Sequence, residues 1–267
     1  MKKDWRELSV LVVGCGSIGK RHVRVLGEIG VTDVRACDPS SQQRTALGAE
    51  SPDVKLYESY ETALADGVDT VLICTPPKLH VPMAMQAIEA GCDVLSEKPI
   101  SDSLDGLDEL VTAADEKKKK LMVALCFRYH EDIVKAREML KSGCVGRLVS
   151  VRALMGECLP EIRSDYLDLH LAKYNGAFEL MHDIDLALWF ADQPVQRSHA
   201  VCGAFSDIGF EAPDVDINRV RGPLHRHRSS RFLPEPATPA VGADLHRRRD
   251  HSRLRQLGRL SHFRLPA

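Results

Sequence analysis

Three glycines, Gly14, Gly16 and Gly19, stand directly behind the apolar run Ser9–Val13 in the string SVLVVGCGSIG, and the helical-looking residues 20–29 follow. Strand, tight turn and helix in that order make a cradle for a pyrophosphate. The first glycine permits the turn, the second lets the anion approach the backbone, and the third lets the helix pack closely on the strand. The unpaired N–H groups and the dipole at the helix start favour negative charge. Gly14, Cys15, Gly16, Ser17, Ile18 and Gly19 are therefore candidate cofactor contacts. A glycine triplet alone is a weak signal, so the acid that follows matters more. A second apolar run, 34–37, ends in Asp38, nineteen residues after Gly19. An acid there accepts hydrogen bonds from a ribose 2′-hydroxyl and repels a 2′-phosphate, which predicts NAD in preference to NADP. A glycine-rich turn in some other α/β protein is the competing reading; glycines, helix, second strand and acid in register argue against it.

Moving a hydride between a secondary alcohol and a nicotinamide needs two further groups: a base for the hydroxyl proton and a nearby positive charge for the developing alkoxide. Lys98, in Glu97-Lys98-Pro99, can supply the charge, and His182 the base. A lysine before proline is usually a surface residue and a histidine in an amphipathic helix is usually structural. It is their place behind a nucleotide fold that singles these two out. The Lys98–Pro99 bond is expected to be cis, since X–Pro is the one place where that form costs little. Asp185, one turn further along the helix face that carries His182, is a candidate for binding substrate hydroxyls.

The elements that must position these groups read as alternating strand and helix. After Asp38, helix signals resume at 40–47, a short strand is expected at 54–57 and a small helix at 60–65. Residues 70–74 form a continuous apolar run of the buried, parallel-sheet type, and it breaks at Thr75-Pro76-Pro77. In a doubly wound sheet ligands lie at the strands' carboxyl ends, so Thr75, Pro76, Pro77 and His80 should border the cofactor, as should Glu97 and Lys98 after the next strand, 93–96. A long amphipathic helix is expected over 103–118, a sixth strand over 121–125, and Arg128 in the loop behind it is a candidate substrate contact. A helix at 131–141 precedes 147–155, which alternates like a long strand and is expected to open a second domain. Residues 156–174 read as a loop over the site, 176–190 as a helix and 194–205 as a strand.

Composition is that of a soluble globular protein, 267 residues with 44% apolar and 28% charged side chains. No run approaches the length of a membrane span and the start MKKDWRELSV lacks a secretion signal's apolar core, which predicts the cytoplasm and no membrane partner. Eight cysteines lie without a C-x-x-C pair and read as reduced, mostly buried small hydrophobes, with no metal site. The lysines at 117–120 read as a solvated helix end, not a nucleic-acid contact.

Five segments carry a resemblance. GCGSIGKRH (14–22), CTPPKLH (74–80), SEKPI (96–100), GRLVSVRA (146–153) and FELMHDID (178–185) have the order and approximate spacing of the Gfo/Idh/MocA oxidoreductases, and the chain resembles that family over about 8–205. The resemblance implies an N-terminal Rossmann doubly wound parallel sheet and a second α+β domain with an open, mainly antiparallel sheet. It implies NAD(P)-dependent oxidation or reduction of sugars, cyclitols or their derivatives. It also implies that Lys98 polarises the substrate and that His182 is the acid/base. Glu179 occupies a position where many relatives have Asp, with a role in orienting His182 or in contacting substrate. Relatives form homo-oligomers through the second sheet.

The resemblance ends near residue 218. Residues 219–267 hold 12 Arg, no Lys and 3 acids, a net charge of +9 against −11 for residues 1–218. No strand period is visible there. The expected layout is 1–126 Rossmann domain, 127–218 part of a substrate domain, and 219–267 an atypical tail, read as an out-of-frame stretch. A basic arm for nucleic acid is the competing reading, disfavoured for want of interleaved aromatics. The tail argues against normal oligomers and stability in this chain. Two alternatives to the dehydrogenase stand beside it: a nucleotide-binding protein without turnover, and an NAD-dependent glycoside hydrolase.

Overall fold

The computed structural model describes residues 4–153, 181–203 and 212–216, all within one compact unit, Met1–Arg221. Glu179, the loop 156–174 and the tail 219–267 lie outside the described residues.

Six strands form one parallel sheet: β1 Ser9–Val13, β2 Asp33–Cys37, β3 Lys55–Tyr57, β4 Thr70–Ile73, β5 Asp93–Ser96 and β6 Leu121–Val123. Their order across the sheet is β3-β2-β1-β4-β5-β6. This is the doubly wound order, with its reversal between β1 and β4. The register aligns the last residues of the strands in one row, Tyr57, Cys37, Val13, Ile73, Ser96 and Val123. Asp38, Gly14, Cys74, Glu97 and Ala124 each follow directly behind that row, so five segments meet at one edge of the sheet.

Alternate strand residues face opposite layers, as a period of two requires. On one face Leu11, Val13, Val71, Ile73 and Val94 pack under helices α3 Tyr60–Ala65, α4 His80–Glu89 and α5 Leu107–Glu116. On the other, Val10, Val12, Ala36 and Leu72 meet Val23 and Leu47 of α1 Ser17–Ile29 and α2 Ser41–Glu50. Leu11, Leu47, Ile73, Ile88 and Leu110 are at most 1% exposed. Burying each contributes about 1.5–3 kcal/mol, so the core holds the carboxyl edge firmly. Ser40 caps α2 by accepting the Gln43 N–H, and Ser59 caps α3 by accepting that of Thr62.

Several boundaries differ from expectation: α2 runs on to Glu50, β6 ends at Val123 and the strand expected from 194 begins only at His199. Helix α5 begins at Leu107, not 103, because Gly106 takes a left-handed φ of 74° and the preceding serines close local turns. A 3-10 turn, Pro77–Leu79, precedes α4, with Pro77 in a first position that needs no N–H. Residues 147–153 carry no strand, because alternation supplies a face but not a neighbour to pair with. After β6 come a 3-10 turn, Cys126–Tyr129, and helix α6 Glu131–Ser142. Helix α7 Met181–Ala191 follows. Strands β7 His199–Gly203 and β8 Ala212–Asp216 pair antiparallel in a separate sheet. No helix among the described residues is long and apolar enough to cross a membrane.

Candidate active site at the carboxyl edge

Gly14 adopts a φ of 94°, and a Cβ there would lie 2.7 Å from the Cys74 carbonyl oxygen. The turns after β1 and β4 therefore touch at the point where strand order reverses. Gly19 permits a second close approach, since its Cβ would fall 1.8 Å from the Gly14 oxygen. Gly16 is different. It caps α1 without any side-chain bond to the helix, and a Cβ on it would meet nothing within 4 Å. Ser17 and Ile18 beside it are exposed. This is an open cradle at a helix start, and it fits the pyrophosphate of a dinucleotide. The Cys15 side chain turns into the core instead. Burial first, and the Asp38 charge second, push its thiol up to about 12.

Asp38 spans two turns. Its Oδ2 accepts the Cys15 N–H at 2.8 Å and its Oδ1 accepts the Ser40 N–H at 2.8 Å. A carboxylate offers about four lone-pair sites. Two could accept further donors, and the two bonds made aim the group.

Behind β4, Cys74 donates its N–H to the Val13 oxygen at 2.7 Å, and Thr75 is half-buried while Pro76 is exposed. His80 is 1% exposed. Its Nδ1 lies 2.7 Å from the Pro99 oxygen and its Nε2 2.6 Å from the Thr75 oxygen. Both ring nitrogens are thus committed to main chain on the two neighbouring loops. Contrary to the expectation that His80 borders the cofactor, its ring lies beneath the edge and ties the loop behind β4 to the loop behind β5.

The Lys98–Pro99 bond is cis. Glu97 donates its N–H to the Ile73 oxygen at 2.9 Å. Its Oε1 lies 2.9 Å from His22 Nε2, and its Oε2 accepts the Lys98 N–H at 3.2 Å. Burial raises this carboxyl, but the His22 bond and charge and the Lys98 contacts outweigh it and hold Glu97 below the ordinary carboxylate range. The side chain expected to touch cofactor is thus spent on α1 and on the lysine's own backbone. A closed circuit results: Gly14 against Cys74, Thr75 to His80, His80 to Pro99, Glu97 to His22, and α1 back to the glycines.

A second cluster forms where the turn behind β6 meets α7. Phe127 and His182 stack with centroids 4.2 Å apart and planes 14° from parallel. Arg128 Nε donates to Asp185 Oδ2 at 2.7 Å, and its Nη2 donates to Oδ1. The predicted pair of substrate contacts, Arg128 and Asp185, is therefore a mutual ion pair, with the Asp185 side chain 9% exposed. His22 and Phe127 were missed by sequence reasoning. His22 does fall in the quoted GCGSIGKRH string, but its partner is 75 residues away. Among the described residues no group of three or more His, Cys, Asp or Glu could hold a metal.

Residues 8–125 match the model described as an oxidoreductase family with an NAD-binding Rossmann fold. The chain is 27% identical over 202 residues to the inositol 2-dehydrogenase of Rubrobacter xylanophilus, a match covering 74% of this chain and 56% of that protein. It is 28% identical over 247 residues to the inositol 2-dehydrogenase of Corynebacterium glutamicum, covering 88% and 72%. The crystal structure of myo-inositol 2-dehydrogenase from Lactobacillus plantarum superposes with a TM-score of 0.68 at 20% identity, over 78% of this chain and 69% of that one, a likeness of fold. The chain thus spans little more than half the length of one curated relative and under three quarters of the other. With its 3-2-1-4-5-6 sheet and its open glycine cradle, the segment 8–125 thus matches the NAD-binding Rossmann domain of the Gfo/Idh/MocA oxidoreductase family.

Proposed function

We propose that the chain is an NAD-dependent dehydrogenase or reductase acting on a secondary alcohol of a cyclitol or sugar derivative, with 1–126 as its dinucleotide domain and 127–218 as part of its substrate domain. The observation that carries this reading is the convergence of the loops behind β1, β2, β4, β5 and β6 at one edge, with Lys98 on one loop and Phe127, stacked on His182, on the next. The family match and the two inositol 2-dehydrogenase relatives support the choice of substrate class.

Gly14–Gly19 would hold the pyrophosphate and Asp38 the ribose hydroxyls, a carboxylate that favours NAD over NADP by repelling a 2′-phosphate. When bound, the nicotinamide supplies the hydride acceptor or donor. The Lys98 ammonium stabilises the developing alkoxide, and the His182 imidazole takes or returns the hydroxyl proton. Glu97 and His80 fix the loop that presents Lys98. Thr75 and Pro76 would border the cofactor at the same edge, whereas Pro77, expected there too, is buried at the start of the 3-10 turn.

The test is a screen of the full chain with NAD and NADP against cyclitols and sugar derivatives, following reduced nicotinamide and identifying the ketone product. NAD-dependent formation of a ketone supports the reading. Product released without net change in the nicotinamide would indicate a hydrolase, and binding without turnover would indicate a nucleotide-binding protein.

A further inference from the structure

Helix α7 carries His182, Asp185 and Trp189 at spacings of three and four residues, so they share one face. Two consecutive residues of the turn behind β6 grip that face. Phe127 lies flat on the His182 ring, and Arg128 closes a two-bond fork on Asp185. The Arg128 guanidinium also stands 5.8 Å from the Trp189 ring centroid. Arg137 of α6 lies 4.2 Å from the same centroid and donates to the Trp189 oxygen at 3.2 Å.

We propose that Phe127 and Arg128 are positioning residues for His182: the stack sets the plane of the imidazole, the Arg128–Asp185 fork sets the rotation of α7, and neither member of the fork is a substrate contact. The proposal rests on His182 being the proton-transfer group of the dehydrogenase reading. Each Asp185 oxygen accepts one bond of a bidentate, charge-assisted pair, and the side chain is only 9% exposed, so the fork fixes the carboxylate's orientation and burial shields the lone pairs left over from a substrate hydroxyl. The fork also has a fixed base. The Ala124 N–H bonds the Ser96 oxygen at 2.8 Å, so the turn that grips His182 leaves the sheet beside the loop that carries Lys98. Sheet register is thereby passed to the imidazole through a few short, stiff links. A planar fork imposes orientation where a lysine would supply only a point charge.

The test uses the full chain with Phe127→Leu, Phe127→Tyr and Arg128→Lys, following the His182 ring protons by NMR, assigned with His182→Gln, beside steady-state kinetics. The wild-type ring signals are expected upfield, displaced by the stacked phenyl ring. They should return toward ordinary histidine positions in Phe127→Leu and stay displaced in Phe127→Tyr. For Arg128→Lys and Phe127→Leu, kcat is expected to fall about 10–100-fold from misplacement of the base, with KM nearly unchanged and with recovery in Phe127→Tyr. Ring signals indifferent to Phe127→Leu overturn the proposal. So does a loss in Arg128→Lys that falls on KM with kcat intact, because that marks a substrate contact. A wild-type chain without turnover contradicts the dehydrogenase reading instead, and the ring signals still decide whether Phe127 holds His182.

Discussion

Asp38 accepts the backbone N–H of Cys15 at 2.8 Å, so the acid that ends β2 is bonded into the middle of the glycine turn that ends β1. One carboxylate thereby braces the glycine turn, and in the proposed function it would also face the ribose. Asp38→Ala is expected to weaken NADH binding about 10–100-fold, the cost of losing charge-assisted hydrogen bonds, and to leave NADPH affinity the same or tighter. Titration of both nucleotides by calorimetry checks it. Equal losses for the two would show that Asp38 only braces the turn.

The glycines separate stability from binding. Alanine at Gly19 would put Cβ 1.8 Å from the Gly14 oxygen, and alanine at Gly14 would put it 2.7 Å from the Cys74 oxygen at a left-handed φ. Both are expected to lower the thermal midpoint strongly, by the several kcal/mol typical of a forced backbone shift. Gly16→Ala meets nothing within 4 Å. It should therefore keep the wild-type midpoint while losing most NADH affinity. Thermal unfolding with and without NADH distinguishes the two outcomes.

Much of the dinucleotide fold was legible because buried parallel strands are plain apolar runs: 70–73 and 93–96 could be read with errors of a residue or less. The start of α5 was not, since Ser103 looks like a cap while Gly106 turns the chain. The strand expected at 147–155 failed over its described part because alternation names a face and not a partner. Within the site, Gly14–Gly19 and Asp38 were legible from spacing. The bonds of Glu97 to His22, His80 to Pro99 and Asp185 to Arg128 were not, because they join residues 75, 19 and 57 apart. They tie side chains expected to meet ligands to distant parts of the chain, and only the fold brings them together.

The Glu97 carboxyl predicts an acid-sensitive support. A folded pKa held below the ordinary 4.5 means the ionised form is stabilised by folding. That stabilisation is present above the unfolded value and is lost as pH falls below 4.5 through the folded one. Glu97→Gln should be less stable than wild type near neutrality, and the difference should shrink as pH falls through this window. Denaturant midpoints measured against pH for the two proteins check it. A difference independent of pH would mean the carboxylate charge is not what His22 holds.

Burial also sorts the thiols. Cys15 and Cys37 are pushed up to about 12 and 11, chiefly by burial, whereas Cys126 and Cys144 are exposed. Alkylation of the native chain near pH 8 followed by peptide mass analysis should mark Cys126 and Cys144 well before Cys15, Cys37 and Cys92. Early labelling of Cys15 would show that the glycine turn opens readily.

Comparison of the wild type with Lys98→Ala and His182→Ala bears most directly on the central claim, measured as NAD-dependent oxidation of the best substrate from the screen with NADH binding followed in parallel. The two variants are expected to bind NADH like the wild type and to lose about 10²–10⁴-fold in kcat. Wild-type kcat in either variant would contradict the assignment of catalysis to that ammonium and that imidazole.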